Sequence, residues 1–179
     1  KFPQFYIFDA ILHFYNKTNN QKYLDVVEKL LLSLSSKGIY DHLEGGISRY
    51  TVDEKWIVPH FEKMLYDNIQ YVNLLNNYLS IKKSDYLKNK LKQTIKFINS
   101  EFLIKNNLLG SAYDADSDGV EGKYYVWKYQ ELKDILGNKL EILLKKYQIS
   151  ENGNFEGSNI LVEKFNPKIN EELGIAEIE

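Results

Sequence analysis

Four runs of apolar residues at helical spacing, separated by short polar breaks, restrict this chain to packed helical hairpins. Phe5, Phe8, Ile11, Leu12 and Tyr15 form the first stripe, and Tyr23, Leu24, Val27, Leu30, Leu31 and Leu34 the second. Asn16 to Asn20 breaks the pattern between them, and Gly38 is the expected stop of the second helix. A third helix is expected from Pro59, with Phe61, Leu65, Ile69, Val72 and Leu79 inward; Ser84-Asp85 then caps a fourth carrying Leu87, Leu91, Ile95, Ile98 and Phe102. Two antiparallel hairpins over residues 1–105 follow, so the fold class is all-α.

Residues 106–179 read differently. Asn106-Asn107 and Gly110 end the second hairpin, and an Asp- and Gly-rich loop leads to Tyr124-Tyr-Val-Trp127, expected as a short strand. Short helices are expected over Glu131 to Leu136 and Leu140 to Tyr147, then a strand at Ile160 to Val162 and an acidic tail after Pro167. No sequence-level repeat is present.

Composition excludes several functions. A net charge of −2 gives no electrostatic reason to expect nucleic acid, and the absence of cysteine removes thiol nucleophiles, thiolate metal sites and disulfides. There is no signal peptide and no long apolar run, so a soluble cytoplasmic protein that does not engage a membrane is expected. No cofactor is implied.

The chemistry-bearing residues concentrate between Tyr40 and Asn68. Two of the three histidines, His42 and His60, lie there with the only arginine, Arg49, and the glycine pair Gly45-Gly46. The glycines permit a sharp turn or close approach of a ligand to the backbone. With Pro59 as first helical residue, His60 and Glu62 would emerge at a helix N-terminus, where the dipole favours carboxylate. His42 and His60 are candidate acid–base groups, since imidazole titrates near neutral pH; the alternative is that both only hold the loop together by hydrogen bonds. Arg49 is expected to pair bidentately with Asp53, Glu62 or a ligand acid.

A second candidate set is Asp114, Asp116 and Asp118 before Gly119. Alternate aspartates suggest a calcium loop, but the twelfth position holds Tyr125 rather than a bidentate Glu, and no metal site is assigned. Asp114 and Asp116, with Glu62 or Glu121, would instead supply the carboxylate pair of a glycoside-cleaving site; Asx turns in a polar loop are the competing reading. Tyr40, Tyr50, Trp56, Tyr66 and Trp127 flank these loops with flat faces suited to sugars. The expected catalytic set is therefore His42, His60, Glu62, Asp114 and Asp116. The expected binding set is Tyr40, Arg49, Tyr50, Trp56, Tyr66, Asp67, Glu121 and Trp127. One site made of both sets requires the Asp114–Glu121 loop to lie across the Tyr40–Pro59 loop.

Three ordered motifs carry a resemblance: Tyr40 to Asn68, Ser111-Ala-Tyr-Asp-Ala-Asp-Ser-Asp-Gly-Val-Glu-Gly-Lys-Tyr-Tyr-Val-Trp127, and Gly153-Asn-Phe-Glu-Gly-Ser-Asn-Ile160. Together they resemble the family of spermatogenesis-associated protein 20 and its bacterial relatives. That resemblance implies a thioredoxin-like domain followed by an (α/α) toroid similar to six-hairpin glycosidases and N-acylglucosamine 2-epimerases, with short β-hairpins in its rim loops. Lys1-Phe-Pro3 looks like the junction between the two, making residues 1–179 the opening fragment of the toroid. It also implies a carbohydrate ligand, with histidines in the toroid cavity. The alternative is a non-catalytic binding or scaffold module that positions the thioredoxin-like domain. The family pattern Leu-Gly-Gly-Gly-Phe-His-Arg-Tyr has Glu44 in place of a glycine and Ser48 in place of the histidine here. If the rest of the toroid is missing, an apolar helix face is left open, and self-association is expected.

Overall fold

The computed structural model describes residues 1–164 and is mostly helical, with a few very short strands. The first hairpin is α1 (Phe5–Thr18) and α2 (Gln21–Ser36). Its turn works because Asn19 takes the left-handed conformation (φ 53°) and the Asn20 side chain accepts the Lys22 N–H at 3.2 Å. The second is α3 (Leu65–Ile81) and α4 (Asp85–Phe97), which runs on as a π-turn through Ile98–Phe102. Ser84 caps α4, its hydroxyl accepting the Leu87 N–H at 3.3 Å. α1 packs on both α2 and α3, α3 on α4, and α2 touches α3 and α4. The shared core contains Phe5, Leu12, Leu24, Val27, Leu31, Leu34, Tyr71, Leu74, Leu75, Tyr78 and Leu87. Among the described residues no helix is long and apolar enough to cross a membrane.

The third helix begins later than its sequence suggests. Pro59 lies in a β-bridge with Thr51, Phe61 has a left-handed φ of 62°, and Lys63–Met64 (β1) pairs antiparallel with Ala112–Tyr113 (β2). A left-handed residue cannot continue a helix, so the first turn of α3 contains Asp67, and the dipole reading of His60 and Glu62 is overturned. What forces this geometry is Phe61, buried to 2% exposure against Tyr125 and Phe155. Pro59 suits an edge bridge as well as a helix start, because it lacks the N–H in either place.

Residues 106–164 form the loops and short elements that close one side. A second two-residue pairing joins Asp116–Ser117 (β3) to Val120–Glu121 (β4). Tyr124 to Trp127 is not a strand: a turn through Gly122 places Tyr125 on Phe61, and only Trp127 makes a bridge, to Asn159. Helices α5 (Tyr129–Leu136) and α6 (Leu140–Lys146) match the expected positions and enclose a small core of Leu132, Leu140, Leu143, Tyr147 and Leu161. Ile160 to Val162 is extended and buried, but its bridges are made by the flanking Asn159 and Glu163 rather than as a strand. This segment folds back on the end of α2, with the Glu163 N–H donating to the Ser36 carbonyl at 2.8 Å. The acidic tail after Pro167 lies outside the described residues.

Gly38 does not stop α2 by a left-handed turn. It is needed for space, since a Cβ there would sit 2.0 Å from the Ile57 carbonyl oxygen and 2.6 Å from Ile160. Gly38→Ala should therefore lower stability by about 1–3 kcal/mol in urea titrations, through overpacking against backbone that has nowhere to move.

Candidate functional site

The two loops singled out by sequence lie together. Glu121 reaches His60 (2.8 Å), Tyr124 donates to Glu44 (2.9 Å), and β2 pairs with β1 just ahead of α3. Buried polar side chains hold the 40–48 loop against α3. Asn68 accepts the Ile47 N–H at 2.7 Å and donates to the carbonyls of Ile47 and Met64. Lys63 donates to Asp41 (2.7 Å) and to the Gly45 carbonyl (3.0 Å), with its ammonium over the rings of Phe97 and Tyr125. Gly45 and Gly46 take φ of +93° and +83°, as a sharp turn requires.

His42 takes the structural alternative. Its ring is inaccessible to solvent, and Nε2 lies 3.0 Å from the Lys37 carbonyl, which fixes the proton on Nε2. The bare Nδ1 then accepts from Lys90 (3.1 Å), whose ammonium also donates to Glu163 (3.0 Å). Burial, then the Lys90 charge, lower the His42 pKa; burial also lowers that of Lys90, with Glu163 opposing. Burial pushes the Glu163 carboxyl upward, but the Lys90 charge and the Tyr86 hydroxyl outweigh it and hold the group below the usual carboxylate range. Tyr40, expected as a sugar platform, is buried, with its hydroxyl beside Thr94, Gln93 and the Lys90 carbonyl.

The signs for Glu163 follow directly. A depressed folded pKa means that its stabilisation is complete above the ordinary value of 4.5 and is lost as pH falls below it. Glu163→Gln should cost about 3–5 kcal/mol at pH 7, because it leaves the buried Lys90 ammonium without its counter-charge. The difference between variant and parent should shrink steadily below pH 4.5 in denaturant titrations.

His60 and Glu62 lie on the rim. His60 Nδ1 meets Glu121 Oε1 at 2.8 Å, and the ring stacks on Tyr50 (4.8 Å, 21°), which also stacks with Phe2 (4.8 Å). Arg49 bonds Glu62 at 3.2 Å, the pair being partly exposed, and the Arg49 N–H donates to the Glu62 carbonyl across the same ladder. Glu62 rather than Asp53 is thus the partner, through one guanidinium–carboxylate bond instead of the expected bidentate pair. Asp53 is occupied by the N–H groups of Lys55, Ile57 and Val58, which, against the opposing effect of burial, lower its pKa. Tyr66 lies beside Arg49 and raises the guanidinium pKa after the larger effect of Glu62. Asp67 completes the group: burial lifts its pKa to about 6, with Arg49 pulling it down and Glu62 pushing it up. Asp67 Oδ2 and Arg49 Nε are buried without hydrogen-bond partners among the described residues.

Other expected residues lie elsewhere. Asp114 accepts the Asp116 N–H in an Asx turn, Asp118 pairs with Lys123 (2.8 Å), and both Asp114 and Asp116 are exposed away from the cavity described next. Among the described residues no three His, Cys, Asp or Glu side chains converge on a metal position. Trp56 is buried under the Lys1 ammonium (4.2 Å). Trp127 lines a cavity of about 670 Å³ between the 38–48, 117–131 and 158–161 segments. Pro59, Phe61 and Lys63 line it too, whereas His60 and Glu62 do not, so alternate residues of one extended segment serve the cavity and the rim.

Lys63, Asn68, Lys90 and Glu163 were missed in the sequence. For Asn68 and Lys90 the available signal was a polar residue on an apolar stripe: Asn68 falls between Leu65 and Val72 at three- and four-residue spacing, and Lys90 between Leu87 and Phe97 at three- and seven-residue spacing.

Asp67 yields a second test. Its folded pKa, raised from 3.8 to about 6, means that stability falls as pH rises through that interval and stays lower above it. Asp67→Asn should therefore raise stability at pH 7 by about 1 kcal/mol, a figure discounted for partial solvent access, and the gain should vanish below the ordinary carboxylate pKa.

Comparison with known proteins places these elements in context. No protein-family model matches the chain. It is 29% identical over 179 residues to an uncharacterised protein of Caenorhabditis elegans, covering 89% of this chain and 24% of that one. It is 31% and 30% identical over 144 residues to spermatogenesis-associated protein 20 of Mus musculus and Homo sapiens, in each case covering 72% of this chain and 18% of the relative. The chain thus spans less than a quarter of the length of these curated relatives. Over most of its length it is homologous to a segment of spermatogenesis-associated protein 20, and that homology supports this family for the chain.

Proposed function

We propose that this chain forms part of a helical toroid in a longer cytoplasmic protein of the spermatogenesis-associated protein 20 family, and that its rim carries a proton-transfer site for a carbohydrate ligand. The observation that carries the reading is the His60–Glu121 pair. A carboxylate 2.8 Å from Nδ1 accepts that N–H and leaves the Nε2 lone pair as a base, while stacking on Tyr50 fixes the ring plane. Exposed aromatic and aliphatic side chains on α1 and α3, among them Tyr6, Ile7, Tyr66 and Ile69, are where further hairpins of a toroid, or a second copy of the chain, would pack.

The chemistry is that of an epimerase or isomerase. His60 Nε2 removes a proton from the carbon beside a sugar carbonyl, the C–H electron pair moves onto the carbonyl oxygen as an enolate, and Arg49 stabilises the developing charge. Asp67, half-protonated near pH 6, is the group suited to return a proton. His42, Asp114 and Asp116 take no part, and Glu62 acts by holding Arg49. The Ser48 departure does not touch this site, since Ser48 lines the internal cavity rather than the rim.

A non-catalytic scaffold for a thioredoxin-like domain is the second reading. What favours it is that Asp41, Glu62, Asp118 and Glu163 are engaged in ion pairs with Lys63, Arg49, Lys123 and Lys90, and Glu121 is occupied by His60.

Incubating the intact protein with aldohexoses and N-acylated hexosamines in D₂O tests the choice by mass spectrometry. Deuterium should enter a sugar C–H position, and His60→Gln should slow this by about 10²–10⁴-fold with little change in melting temperature. No incorporation into any sugar, or equal incorporation by the variant, would favour the scaffold.

A further inference from the structure

We infer that the cavity behind Phe61 is a second binding site, separate from the rim, that takes a neutral aromatic molecule. At about 670 Å³ it falls in the size range of small-molecule sites, and its walls include Phe61, Tyr124, Tyr125, Trp127 and Ile160. Tyr125 stacks on Phe61 (10°) and lies nearly perpendicular to Tyr124 (83°), so the aromatic wall presents both faces and edges to a ring packed against it.

Charge and hydrogen bonding weigh against the other ligand classes. Two of the acidic groups that line the cavity are already matched: Asp41 by Lys63, and Asp118 by Lys123. Glu44 accepts the Tyr124 hydroxyl, and the His42 ring is spent on Lys37 and Lys90. Lys128 and Glu131 also line it, with opposite signs, and so add no net charge. Glu44, Lys128 and Glu131 are all exposed, so a charged ligand would give up its hydration for counter-charges that solvent screens. A pyranose would bring more hydroxyls than the few lining hydroxyls, those of Ser48, Ser117 and Ser158 among them, can pair, which separates this site from the carbohydrate reading of the rim.

The test follows the two tryptophan indole N–H resonances of the full chain, assigned with Trp127→Phe, during titration with indole, indole-3-acetate, tryptamine and methyl glucopyranoside. Indole should shift the Trp127 signal, leave Trp56 unmoved, and bind at least about tenfold more tightly than the other three. Ser117→Phe, which adds bulk to the lining from a half-buried hairpin position, should weaken indole at least about tenfold; if its spectrum shows loss of fold, Tyr124→Ala, which removes one wall, should do the same. Absence of a saturable shift, a shift at Trp56 alone, equal binding by a charged compound or the glucoside, or undiminished binding by the folded cavity variant would overturn the inference. None of these readouts depends on sugar turnover at the rim.

Discussion

The Asn68 side chain sets the constraint on which the rest of this structure depends. A loop that turns through two glycines at positive φ has backbone groups without helix or sheet partners, and buried groups of that kind are costly. Asn68, completely buried on α3, supplies what a neighbouring strand would: it accepts from Ile47 N–H and donates to Ile47 and Met64 carbonyls. Lys63 does the same for Asp41 and the Gly45 carbonyl. With the loop fixed to the helix, the extended segment from Pro59 to Lys63 can place alternate residues on the cavity and the rim.

How much of this was legible follows from the same physics. The four long helices announced themselves because each buries a stripe whose period is set by the backbone, and the Ser84 cap was readable from local chemistry. The start of α3 was not. Pro59 is compatible with a helix or an edge bridge, and the choice was made by Phe61, whose left-handed backbone follows from partners about sixty and ninety residues away in Tyr125 and Phe155. Tyr124 to Trp127 had strand composition, but strand formation needs a partner, and only Trp127 found one.

The site was legible by residue type and not by role. His42 and His60 are alike in sequence terms, yet one is enclosed with Lys90 and Glu163 and the other stacks at the surface with a carboxylate behind it. Glu121, read as a ligand contact, orients a histidine; Asp114 and Asp116, read as a catalytic pair, shape a turn. Arg49 found its partner among the three expected, in Glu62, because both lie at facing positions of one short ladder.

The account rests most heavily on how Glu121 holds His60, and ¹⁵N NMR of the histidine side chains tests that directly. The neutral imidazole of His60 should carry its proton on Nδ1, opposite in tautomer to His42, and Glu121→Gln should shift His60 toward the Nε2–H form. An Nε2–H tautomer in the unsubstituted protein, or a tautomer ratio indifferent to Glu121→Gln, would contradict the claim that the rim presents an oriented base.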